Sequence, residues 1–128
     1  ISKYILCRSD IEVLAQTRRY HYKFIEEQVL NHSSIRPLWA ELDKDWVPYA
    51  FPLVTKHPRN LQHFLLNNGI QSELAINDYF PIEGKISAEL PDMKSISELA
   101  QSVICIPLHQ SLSEQELVKI GFCLHAYE

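Results

Sequence analysis

The chain has 128 residues, of which 46% are hydrophobic and 22% charged, with a formal net charge of −4. These are the proportions of one folded domain with its own core; they exclude a disordered segment, and the acidic balance excludes a general nucleic-acid binder, which needs a basic face. No apolar run approaches the roughly 20 residues that cross a bilayer, so no membrane partner is expected.

Three cysteines, Cys7, Cys105 and Cys123, lack CxxC spacing, and two lie in apolar runs. Buried thiols in a reducing compartment, the cytoplasm, are the simple reading. No signal peptide is visible. The sole methionine is Met93, so Ile1 is expected to be an internal residue of something longer, or of a processed chain.

In chain order, Ser9 and Glu12 form a capping-box pattern, with Ser9 as the expected N-cap of a helix running to about Leu30. Ile11, Leu14, Tyr22, Ile25 and Val29 roughly follow its apolar period. Residues 35–46 are mixed and hold Pro37 and two tryptophans that are expected to pack. Val47–Val54 is a strand by residue type, which Pro48 and Pro52 restrict to a sheet edge or a bulge. His57-Pro58 opens a helix with proline at its first position, and Asn67-Asn68-Gly69 closes it with a left-handed cap. Ile70–Ile76 resumes as a strand, Asn77–Asp92 is a long polar loop, and 93–102 is a short helix. Val103–Ile106 is an apolar strand ended by Pro107. Ser113 and Glu116 then form a second capping box, with Leu112 and Leu117 as hydrophobic staple, for a last helix to about Ala126. The order α-β-α-β-α-β-α predicts a single α+β domain of two layers over 1–128, with about three strands and the helices on one face. Only three glycines occur, none in nucleotide-loop spacing.

The chemistry-bearing residues are sparse. The six histidines make no HExxH or Cys–His cluster, so no metal site is predicted. Cys105 reads as a buried thiol. Glu41, Asp43 and Asp45 read as a solvated loop. Glu73, at a strand, and Asn77, Asp78 and Tyr79, where the long loop begins, are the candidate ligand-facing residues, because loops of this length often carry binding work. No lysine stands out as imine-forming, and no catalytic or cofactor-binding residue is assigned.

Three stretches, EVLAQTRRYHYKFIEEQV with its paired arginines, WVPYAFPLVTKHPRNLQHFLLNNGIQSEL and IPLHQSLSEQEL, together with the polar loop from Asn77, carry a resemblance over nearly the whole chain. They resemble the C-terminal small domain of the DegT/StrS-type sugar aminotransferases, pyridoxal-phosphate (PLP) enzymes of the aspartate-aminotransferase fold. The resemblance implies a small domain that is inactive alone and shapes part of a substrate cleft. It implies a large PLP-binding domain as partner, an amino donor and a keto-sugar nucleotide as substrates, sugar or polysaccharide biosynthesis as setting, and a possible homodimer. The family's cofactor lysine and phosphate-binding groups belong to the large domain and have no counterpart here. Where many members carry a histidine after the Gly-Ile strand, Ala75 and Ile76 stand. In this frame Pro107, His109 and Ser113 are structural, and Glu73, Asn77, Asp78 and Tyr79 face the cleft. The alternative is a stand-alone α+β module that binds a ligand or a protein without catalysis.

Overall fold

The computed structural model describes residues 10–39, 41–75 and 98–127. Helix α1 spans Ile11–Val29. Its N-cap is Asp10, whose carboxylate accepts from the Val13 N–H at 3.2 Å. The expected cap, Ser9, lies outside the described residues; the helix starts at Ile11, which puts Asp10, an equally good capping residue, at the boundary. Strand β1 (Ile35–Pro37) lies in the stretch read as mixed, and β2 spans Ala50–Thr55. Helix α2 (Pro58–Asn67) begins on Pro58 and is closed by Asn68 as C-cap, then by Gly69, whose φ of +74° is the left-handed conformation expected there. Strand β3 is two residues, Glu73–Leu74, shorter than the expected 70–76. Residues 98–101 are helical, while the rest of the helix expected over 93–102, and the loop 77–92, lie outside the described residues. Strand β4 (Val103–Pro107) and helix α3 (Glu114–Ala126) follow.

The α+β prediction holds, with four strands among the described residues where about three were expected, in the order β1-β2-β4-β3 and each pair antiparallel. The extra strand is β1, whose three residues carry too little pattern to announce themselves.

One expectation fails. Pro52 does not drive β2 to an edge: β2 lies inside the sheet, between β1 and β4, without a bulge at Pro52↔Cys105. The Pro52 carbonyl accepts from the Leu38 N–H at 3.0 Å, one residue past the end of β1. A strand residue's N–H and C=O point to the same side, so the missing donor faces Leu38, just past β1; the cost is one bond at the end of the β1–β2 ladder, and the β2–β4 pairing runs through Pro52↔Cys105.

Register separates the two faces. Phe51↔Ile106 and Leu53↔Ile104 point one way, and all four are fully buried. With Ile35 and Leu74 they meet Tyr22, Ile25 and Val29 of α1, Leu61 and Leu65 of α2, and Leu117, Ile120 and Leu124 of α3 in one core. The helices therefore cover one face. The other face carries Ala50, Pro52 and Val54 of β2 against Pro107, Cys105 and Val103 of β4.

Candidate functional site

The uncovered sheet face forms the floor of an apolar cavity of about 820 Å³. Ala50, Pro52, Val103 and Cys105 line it from the sheet, and Ala75 from just beyond β3. Its wall is the irregular segment 41–49, contributing Leu42, Trp46, Val47 and Tyr49, together with Trp39. The two tryptophans pack edge to face, with ring centroids 6.0 Å apart at 88°, as their sequence proximity suggested. Trp39, Trp46 and Tyr49 are nonetheless 46%, 55% and 67% exposed. Three large aromatics are thus left in water beside one cavity, where single exposed apolar residues are ordinary but contiguous ones are not.

Helix α1 holds this wall in place. Arg19 Nε donates to the Trp46 carbonyl at 2.9 Å. One residue earlier, the Arg18 guanidinium lies 5.9 Å from the Tyr49 ring centroid and donates from Nε and Nη2 to Gln110 Oε1, at 3.2 and 2.8 Å. Lower on α1, the Tyr22 hydroxyl and Glu26 Oε1 are buried with no hydrogen-bond partner among the described residues. Burial, with the Glu26 charge, pushes the Tyr22 phenol up to about 12. Burial, and then Glu41, raises the Glu26 carboxyl against the opposing pull of Lys23.

Of the residues singled out in the sequence, Glu73 is exposed on β3, where register sets it opposite Cys105 of the cavity floor. It also borders a smaller groove with Gln62, His63 and Ser72. Asn77, Asp78 and Tyr79 lie outside the described residues. Ala75, directly before them, is buried and lines the cavity. Asp45 borders the cavity, while Glu41 and Asp43 stay in the solvated loop. His109 bonds its own turn: its Nδ1 lies 2.5 Å from Ser111 Oγ and 3.3 Å from the Ser111 N–H. Among the described residues no group of three His, Cys, Asp or Glu side chains could hold a metal ion, and no helix is long and apolar enough to cross a membrane. The aromatic wall was missed in the sequence. Its available signal was Trp39, Trp46 and Tyr49 crowded into a stretch with no strand or helix period to bury them.

No protein-family model and no curated protein matches the sequence. Solved structures do match the fold. The sugar aminotransferase CalS13 of Micromonospora echinospora superposes with a TM-score of 0.69 at 15% identity, over 91% of this chain and 31% of its own. The aminotransferase TlmJ of Streptoalloteichus hindustanus gives 0.66 at 18% identity, over 88% and 31%. A GDP-4-keto-6-deoxymannose-3-dehydratase with a trapped PLP-glutamate geminal diamine gives 0.64 at 13%, over 88% and 31%. The chain thus spans about a third of the length of these proteins. It has the fold of a small domain of the PLP-dependent sugar aminotransferases.

Proposed function

We propose that this chain is the C-terminal small domain of a PLP-dependent aminotransferase of sugar or polysaccharide biosynthesis, of the DegT/StrS type, working in the cytoplasm. It forms part of the substrate cleft and is inactive alone. The observation that carries this reading is the sheet with one face sealed by helices and the other left apolar beneath exposed aromatics. Such a face needs a cover, and a large domain of the same polypeptide is that cover. Glu73, with Asn77, Asp78 and Tyr79 beyond it, faces the keto-sugar nucleotide and amino donor.

The cofactor belongs to the covering domain. Imine chemistry needs a lysine inside a desolvated pocket. Lys23, Lys44, Lys56 and Lys119 are all exposed, and none lines the apolar cavity. The described residues therefore do not fit pyridoxal phosphate. The protein's share of the work is to bind and orient substrate and to keep water out of the cleft.

A spectroscopic titration tests the division of labour. The 128-residue chain, mixed with pyridoxal phosphate and passed through a desalting column, is expected to retain no pyridoxal chromophore and to transfer no amino group from glutamate. A stably retained chromophore would place the cofactor site in this chain and overturn the reading.

A further inference from the structure

We propose that the segment 41–49 is a hinged wall of the apolar cavity, and that Arg19 is the latch that holds it against α1. The segment has no helix or strand of its own, yet it supplies Leu42, Trp46, Val47 and Tyr49 to the cavity lining. At its C-terminal end it is fixed to the sheet, because the Tyr49 carbonyl accepts from the Leu108 N–H at 3.2 Å and Ala50 enters β2. Towards its middle, its bonds are largely its own. The Trp46 N–H donates to the Asp43 carbonyl at 3.0 Å, and the Asp45 N–H to Asp43 Oδ1 at 3.0 Å. Such a closed local turn moves as a unit. The bond from Arg19 Nε to the Trp46 carbonyl ties that turn to α1, and its donor is charge-assisted and part of a planar head. Opening the latch swings Trp46 off its edge-to-face contact with Trp39 and uncovers the floor formed by Pro52, Val103 and Cys105. Leu42 packs against the core near one end of the segment and Arg18 lies 5.9 Å from the Tyr49 ring at the other, so Arg19 is the tie on the turn between them.

The chain contains two tryptophans, Trp39 and Trp46, and both stand at this wall, so its indole fluorescence reports on the wall alone. Both indoles are now about half exposed. Arg19→Ala is expected to raise the acrylamide quenching constant about twofold and shift emission to the red, with far-UV circular dichroism unchanged. Arg19→Lys, which keeps a donor on a long stem, is expected to stay at the wild-type value. An unchanged constant in Arg19→Ala, or the same rise in Arg19→Lys, overturns the latch. If Arg19→Ala does not fold, amide exchange in the wild-type chain decides. The Trp46 amide is expected to exchange faster than the Leu38 amide, which bonds the Pro52 carbonyl; equal protection overturns the hinge.

Discussion

The Tyr22 ring of α1 sits on the Phe51 ring of β2, with centroids 4.5 Å apart and planes inclined at 59°, and both side chains are almost fully buried. This contact locks the first helix onto the central strand and aims Arg18 and Arg19, one turn earlier, at the aromatic wall. Its two ends respond differently to mutation. Phe51→Ala removes a ring from the middle of the core and is expected to cost about 3–5 kcal/mol in denaturant unfolding. Tyr22→Phe removes a buried hydroxyl that has no partner among the described residues, and is expected to be neutral or to stabilise by up to about 1 kcal/mol. A loss of more than that in Tyr22→Phe would show that the hydroxyl is bonded in solution.

Glu26 gives the fold an acid-side reserve. Burial first, then Glu41, raises its carboxyl above the ordinary value of 4.5. A carboxyl raised on folding stabilises when protonated. Its contribution is present below 4.5 and is lost as pH rises through the folded value. Glu26→Gln is therefore expected to raise the melting temperature at pH 7 and to flatten this part of the stability profile. A lower melting temperature in that variant would contradict the account.

His21 works in the opposite direction. It is 5% exposed, and burial lowers its ring below 6.5 against a hydrogen bond with the His109 backbone that favours the charged form. A base lowered on folding stabilises when neutral. Its contribution is present above 6.5 and is lost as pH falls below 6.5 and through the lower folded value. Thermal melts between pH 7.5 and 5 are expected to show this slope in the wild type and lose it in His21→Gln.

Gly121 lets α3 approach α1. A Cβ there would stand 2.9 Å from Gln28 Cγ and 3.1 Å from Phe24 Cε1. Gly121→Ala gains about 1 kcal/mol of helix propensity but overpacks the seam, which costs about 1–3 kcal/mol. A net loss of about 1 kcal/mol is expected in chemical denaturation, and a net gain would show that the two helices part freely.

The last helix shows how far local rules reach. Ser113 Oγ accepts from the Glu116 N–H at 3.3 Å, and Glu116 Oε2 accepts from the Ser113 N–H at 2.8 Å, the reciprocal pair that the spacing of serine and glutamate predicts. Leu117 is buried and Leu112 packs on the core beside it. The proline start of α2 and the left-handed Gly69 were equally legible, because each rests on the preference of a single residue. Pro52 was misread because the cost of a missing donor depends on which neighbour it faces, and that is set by where β1 ends, far away in sequence. The aromatic wall was hidden for a related reason. Trp46 is placed by Arg19, 27 positions earlier, and not by any periodicity of its own segment. Asn77, Asp78 and Tyr79 stay with the proposal, since the described residues stop at Ala75 and resume at 98.

The most direct test of the central claim is to read the coding frame upstream of Ile1 and assay the polypeptide it encodes. The account predicts a large preceding domain with an imine-forming lysine, and transfer of the glutamate amino group to a keto-sugar nucleotide by the whole polypeptide. A start codon within a few residues of Ile1 would contradict it, and the cavity behind Trp39 and Trp46 would then belong to a self-sufficient binding module.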